Sequence, residues 1–395
     1  MTEGAEESGF GATVAALAVG QVLSWAALFY AFSSFVLPMQ REFGWDKPTL
    51  MGAFTTGLAL HGAATYAVGA AIDRGRGRLV LTGGALAAGV GLLAWSRVTA
   101  PWMLYACWAL MGASMAALLY EPAFMVVTKR YPERFRQAIT RITLVGGFAS
   151  TLCYPAVAAL IDGLGWRRAL VVMGLVMVAF VAPLHAWALR GPALGRSARH
   201  HDTADDATLH QALRTPAFWL LTLTFTGYAF VSTAFWAHVM PAFAEKGFSE
   251  AAATAVLVWF GPAQVAGRFV HAVAGGGLRL RVLGLVVLAT VPLSLLLFAL
   301  GTSVAVLVGF ALVFGVANGL VTIVRGGLVP EYFGRTHIGR ISGLMAAVAL
   351  LARALAPWSL ALLLLVVPGY RQAIFVLAGL GFASALAFWL ARKPG

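Results

Sequence analysis

Apolar residues arrive along this chain in blocks of bilayer-crossing length, and short segments between the blocks hold most of the charge. Ala12 to Met39 and Met103 to Thr128 are uncharged over most of the roughly 20 residues that a membrane helix needs. A segment alone in lipid must satisfy its own backbone groups, so these blocks predict helices. Breaks at charged, proline or glycine residues place helices near 13–38, 49–72, 79–96, 102–127, 138–161 and 168–189. A second set follows near 216–241, 249–274, 281–299, 303–328, 342–366 and 371–391. The one long polar stretch, Arg190 to Arg214, holds His200, His201, Asp202, Asp205 and Asp206 and is expected to be a solvated linker, not a metal site.

The expected fold is therefore an all-α membrane protein of twelve transmembrane helices in two pseudo-symmetric six-helix bundles. Residues 1–189 form the N-terminal bundle, 190–214 a cytoplasmic linker and 215–395 the C-terminal bundle. The halves repeat: Gly165-Trp166-Arg167 precedes span 6 as Gly369-Tyr370-Arg371 precedes span 12, 204 residues later, and Pro155 pairs with Pro357 at an offset of 202. Duplicated six-span halves joined by a cytoplasmic linker mark an alternating-access transporter with its site at the midplane.

Composition agrees, with 60% hydrophobic and 11% charged residues against roughly 45–50% and about 25% in a soluble domain. The net charge of +13 does not indicate nucleic acid, because the basic residues sit in short loops rather than on one soluble face. With the N-terminus inside, 17 of them fall on the cytoplasmic side and 7 opposite, which puts both termini in the cytoplasm. Met1 to Gly9 carries Glu3, Glu6 and Glu7 and no basic residue, unlike a cleaved leader, so the first block is expected to stay as span 1. Cys107 and Cys153 lie inside apolar blocks and read as small packing residues. No nucleophile–base pair, metal-ligand cluster or cofactor motif supports an enzyme. A membrane sensor would need a folded soluble module, for which the chain has no room. The Ala/Gly/Arg bias suggests a high-GC bacterial source, hence the cytoplasmic (inner) membrane, with a monomer expected.

The loop after span 2 reads Gly69-Ala-Ala-Ile-Asp73-Arg74-Gly75-Arg76-Gly77-Arg78, which resembles the signature loop of the major facilitator superfamily. The trailing Gly is one place late, and the second copy, Gly275-Gly276-Gly277-Leu278-Arg279, has lost its Asp. A narrower resemblance is to the monocarboxylate transporter-like branch with its bacterial oxalate/formate exchangers. It rests on Phe43-Gly44-Trp45-Asp46, Tyr120-Glu121-Pro122-Ala123, Gly165-Trp166-Arg167, His238-Val239-Met240-Pro241 and Gly261-Pro262-Ala263-Gln264-Val265-Ala266-Gly267-Arg268. The resemblance implies that Arg268 meets a substrate carboxylate and that Arg353 matches the basic residue of span 11 in oxalate exchangers. Span 8 lacks the aspartate that vertebrate members carry before the arginine, and span 1 lacks their lysine.

Four arginines, Arg141, Arg268, Arg325 and Arg353, fall inside spans, where each costs roughly 2.5–3.5 kcal/mol at a helix centre. Glu121 is the acidic residue well inside a span, so an anionic cargo is the economical balance for the excess positive charge. Arg268 lies one turn from Gln264, and its planar fork matches a carboxylate. Asn318, Thr322 and Arg325 share one face of span 10, as Tyr228, Ser232, Phe235 and His238 nearly do on span 7. Arg141, only a few residues inside span 5, is expected to snorkel to the cytoplasm.

Glu121 and Arg325 hold equivalent places, 204 residues apart, and read either as a gate or proton relay or as a permanent ion pair. His61 and His238 titrate near neutrality when unperturbed and read as proton carriers or as satisfied hydrogen-bonding residues. Asp73 and Arg74 join them as gating candidates. The expected activity is secondary transport of a small mono- or dicarboxylate by proton symport or anion exchange. A proton-driven efflux pump for drug-like or toxic compounds, with Glu121 as the essential carrier and suited by an aromatic load that includes Trp25, Phe29, Tyr30, Phe32, Trp236 and Trp259, is the alternative.

Overall fold

The computed structural model describes residues 3–131, 133–190, 207–273, 279–334 and 338–393. The chain divides into two compact units, Met1–Ser197 and Ala198–Gly395. The first contains α1 (Gly9–Phe43), α2 (Lys47–Asp73), α3 (Gly77–Trp95), α4 (Pro101–Leu118 continued by Tyr120–Arg130), α5 (Phe135–Gly146 continued by Ala149–Leu164) and α6 (Trp166–Ala188). The second contains α7 (Pro216–Glu245), α8 (Glu250–Leu257 continued by Phe260–Val273), α9 (Leu280–Leu300), α10 (Val304–Phe333), α11 (Ile338–Leu363) and α12 (Tyr370–Leu390), preceded by a short turn of helix at Leu209–Leu213. Among the described residues ten helices are long and apolar enough to cross a membrane. The remaining two places belong to α2 and α8, the same position in each half. Polar His61 and several threonines lower the hydropathy of α2, and α8 is broken into two segments. The histidine pair His200 and His201 and the glycines Gly275, Gly276 and Gly277 lie outside the described residues.

Packing follows the repeat. In the N-terminal half α1 packs on α5 and α6, α2 on α4, and α3 on α4 and α6; in the C-terminal half α7 packs on α11 and α12, α8 on α10, and α9 on α10 and α12. The pairs α2–α4 and α8–α10 meet through glycine. A Cβ on Gly112 would stand 2.0 Å from the Gly57 carbonyl oxygen, and one on Gly319 would stand 2.5 Å from the Gln264 carbonyl oxygen. Small residues let backbones approach where lipid offers no hydrophobic driving force between helices.

Aromatic clusters also repeat. In one half Phe32 stacks on Phe54 at 4.5 Å, Trp108 is set edge-on to both, and Trp95 is edge-on to Trp108. In the other, Phe235 meets Phe298, Phe310 and Phe314, and Phe314 meets Phe260. Such pairs prefer edge-to-face or offset contact and add about 0.5–1.5 kcal/mol each beyond burial.

The repeated Gly-aromatic-Arg motif has a structural reason. Gly165 and Gly369 take φ of 79° and 109°, the left-handed region open to glycine, as the chain turns into α6 and α12. The residue that follows docks on a glutamate at the end of the first helix of its half. Trp166 donates Nε1 to Glu42 Oε2 at 2.6 Å, and Tyr370 donates its backbone N–H to Glu245 Oε1 at 2.5 Å.

Three predicted spans are interrupted where continuous helices were expected, and each interruption has a local cause. Pro122 has no N–H for the Leu118 carbonyl, and α4 breaks at Leu119, whose backbone is extended. Pro262 has none for Val258, and α8 breaks at Val258–Trp259. In α5 the break falls at Gly147–Phe148, beside the Gly146-Gly147 pair. A π-helical turn, Ala26–Tyr30, also interrupts α1. Cys107 and Cys153 are free thiols, both buried.

Candidate functional site

The residues expected to bind cargo come together within the C-terminal half. Tyr228 on α7 donates its hydroxyl to Asn318 Oδ1 on α10. Arg268 on α8 donates Nε to the Gly319 carbonyl at 3.1 Å and a terminal nitrogen to Gln264 Oε1 at 3.4 Å. Gln264 is buried, whereas Arg268 and Arg353 are half-buried. The close α8–α10 approach at Gly319 is what brings the Arg268 guanidinium onto α10. The charges of Arg353, Arg268 and Arg325 all act on the Tyr228 hydroxyl, so four helices direct polar or cationic groups toward one region. Arg325 is exposed and lines a cleft of about 330 Å³ with Phe225, Thr322, Gly326, Val329, Ser342 and Met345 from α7, α10 and α11. This arrangement offers fixed hydrogen-bond donors and positive charge beside an open cleft of mixed apolar and polar lining, and guanidinium donors are the groups that hold an anion.

His238 is drawn elsewhere. Ten residues beyond Tyr228 on α7, about 15 Å along the axis, it is fully buried, with Nε2 2.8 Å from the Pro357 carbonyl of α11 and Nδ1 2.7 Å from the Tyr370 hydroxyl of α12. A carbonyl only accepts, so Nε2 carries the proton, and in the neutral ring Nδ1 accepts from Tyr370. His238 thus ties three helices together.

In the N-terminal half Glu121 is exposed in the first turn of the second segment of α4, immediately after the break. The free N–H groups and positive dipole end of that segment favour the carboxylate there. Gln21 of α1, missed in the sequence, holds the break in place. Its Nε2 donates to the Leu118 carbonyl at 2.6 Å and reaches the Leu119 carbonyl at 3.4 Å, replacing the donor that Pro122 lacks. The signal was present in Pro122 and in a lone glutamine within span 1. Around Glu121, Trp25 lies 5.2 Å from Tyr120 and packs with Phe29 and Tyr30.

His61 is buried on α2, in the half that does not hold the arginine cluster. Arg74 is exposed at the C-cap of α2, and the Asp73 side chain lies outside the described residues. Arg141 is exposed, with its guanidinium 5.7 Å from the Phe10 ring.

Twelve helices in two repeated sets, with a polar and cationic face inside one set, define a multi-pass integral membrane protein of the transporter class. The chain belongs to the Major Facilitator Superfamily, whose family model matches residues 17–357. Its fold is similar to that of a bacterial homolog of the human lysosomal transporter Spinster. For the inward-facing, unoccupied form the TM-score is 0.77 at 16% identity, covering 97% of each chain. For the inward-facing, occupied form the TM-score is 0.75 at 15% identity, covering 96% of each chain. No curated protein matches the sequence significantly.

Proposed function

We propose that this protein is a secondary active transporter that moves a small organic anion, a mono- or dicarboxylate, by alternating access with proton symport or anion exchange. Its place is the bacterial cytoplasmic membrane, with both termini in the cytoplasm. The observation that carries the reading is the Arg268 guanidinium held on Gln264 and the Gly319 carbonyl, next in the chain to Asn318 and its bond to Tyr228. The acidic residues of that half, Glu245, Glu250 and Glu331, all stand at helix ends, and a carboxylate cargo would bring negative charge to the arginines within the spans. The resemblance to monocarboxylate and oxalate carriers supports the same substrate class.

In this reading Arg268, oriented by Gln264 and Gly319, grips one carboxylate, and Arg353 meets a second anionic group or the same one. Tyr228 and Asn318 complete the hydrogen bonds. Glu121 and Arg325 gate the inner side, with Asp73 and Arg74 contributing to that gate. His238 and His61 are the proton-coupling candidates, and the hydrogen bonds at both nitrogens of His238 favour a helix clamp for that residue.

The test is uptake of labelled lactate, acetate and oxalate into proteoliposomes, with and without an inward proton gradient, for wild type, Arg268→Lys and Arg268→Ala. Accumulation of a carboxylate that Arg268→Ala abolishes and Arg268→Lys restores only weakly is expected, because an ammonium lacks the bidentate fork. Wild-type movement of none of the carboxylates overturns the reading. One feature favours the efflux-pump alternative, the aromatic cluster of Trp25, Phe29, Tyr30 and Tyr120 beside Glu121. That alternative predicts transport of lipophilic cations, lost in Glu121→Gln and indifferent to Arg268→Ala.

A further inference from the structure

A second cationic site stands at the end of the N-terminal half remote from the linker, where α3 ends and α6 begins. Ser96, Arg97, Thr99, Arg167, Arg168 and Val171 line a cleft of about 480 Å³ there. Arg167 is committed to the fold: Nη2 pairs with Glu42 Oε1 at 2.7 Å and reaches the Val98 carbonyl at 3.0 Å, and Nη1 meets the Ser96 carbonyl at 2.8 Å. Arg97 and Arg168 are exposed, and among the described residues neither guanidinium makes a hydrogen bond or ion pair. Three guanidiniums against the single Glu42 carboxylate leave a surplus of two positive charges. The opening backbone N–H groups of α6 add positive dipole to the same cleft.

The surroundings identify the kind of anion. Trp102, in the first turn of α4 beyond Thr99, is 71% exposed, as an aromatic residue at the membrane–water interface would be. Below the cleft α3 and α6 each carry exposed apolar side chains. Leu175, one turn past Val171 on α6, is 51% exposed, and Val90, two turns before Arg97 on α3, is 53% exposed. A cationic pocket at headgroup level above an exposed apolar track matches a molecule with a phosphate at one end and acyl chains at the other.

We propose that this cleft binds the phosphate headgroup of an anionic phospholipid, held by Arg97 and Arg168, with its acyl chains along α3 and α6. Arg167 belongs to the frame of the site, because Glu42 and two backbone carbonyls already occupy it.

Native mass spectrometry of the purified full chain tests this, with phosphatidylglycerol and phosphatidylcholine titrated separately and inorganic phosphate as a third arm. The variants are Arg97→Gln, Arg168→Gln and the double variant, with their melting temperatures in lipid-free detergent checked against wild type. Each arginine should account for about fivefold in phosphatidylglycerol affinity, hence about 25-fold for the pair, with weak phosphatidylcholine binding throughout. Equal phosphatidylglycerol binding by wild type and a normally melting double variant overturns the proposal. If the double variant melts early, the two single variants decide, and loss in neither overturns it. Displacement of the lipid by millimolar inorganic phosphate also overturns it, in favour of a soluble anion.

Discussion

Replacing Gln21 with leucine should loosen the break in α4 on which Glu121 stands. The wild-type amide donates to the Leu118 carbonyl at 2.6 Å, the carbonyl that Pro122 leaves without a helical partner. A buried acceptor deprived of its donor costs about 1–3 kcal/mol. The loss is partly offset, because Gln21 Oε1 is itself buried without a hydrogen-bond partner among the described residues and leaves with the amide. Polar contacts between membrane helices also couple by only about 0.6 kcal/mol on average, with a maximum near 1.7. The net expectation is therefore about 1–1.5 kcal/mol. At roughly 2–4 °C per kcal/mol for a unit of 150–250 residues, that is a fall of about 2–6 °C in melting temperature. The assay is thermal unfolding in detergent as a double-mutant cycle with Pro122→Ala, which restores an N–H and allows the helical turn to close on Leu118. In that background Gln21→Leu should cost about 1 kcal/mol less. An unchanged melting temperature for Gln21→Leu, or an equal loss with and without Pro122, would refute the reasoning. Gln21→Leu should also impair proton-driven transport while leaving substrate binding at the Arg268 site intact, because it disturbs the other half.

Gly319→Ala places a methyl 2.5 Å from the Gln264 carbonyl oxygen, so α8 and α10 must part by about 0.5 Å to reach even 3.0 Å. It should destabilise the protein by about 1–3 kcal/mol and weaken substrate affinity through the Arg268–Gly319 bond, measured by unfolding and by uptake KM. Asp46 caps α2 through its bond to Thr49 N at 2.8 Å, and hydrogen bonds from Thr49 hold its carboxyl below the ordinary value. Because the folded-state value is depressed, the stabilisation is present above the ordinary carboxylate pKa and lost as pH falls through the folded one. Asp46→Ala should therefore cost about 1 kcal/mol at neutral pH, and the gap to wild type in melting temperature should shrink on acidification; a gap independent of pH refutes the cap.

The sequence by itself determined the helical class, the duplication and the positions of the spans. Lipid forces every backbone polar group to be satisfied within its own segment, which makes an apolar block of sufficient length nearly synonymous with a helix. It also singled out Arg268, Gln264, Tyr228, Asn318, Arg325 and Arg353, because charge and hydrogen-bonding groups stand out inside apolar blocks. Hydropathy reads least clearly in α2 and α8, where polar residues and a break dilute the signal. Only the tertiary structure decided which of those groups meet. Arg268 reaches α10 because Gly319 has no side chain, and the break before Glu121 is held by Gln21, nearly a hundred residues earlier. His238 was legible as a titratable residue, yet its partners, Tyr370 and the Pro357 carbonyl, come from helices more than a hundred residues away. Those contacts depend on helix packing at long sequence separation, set by interlocking side chains and close backbone approach, and the local periodicity of a single chain carries no record of them.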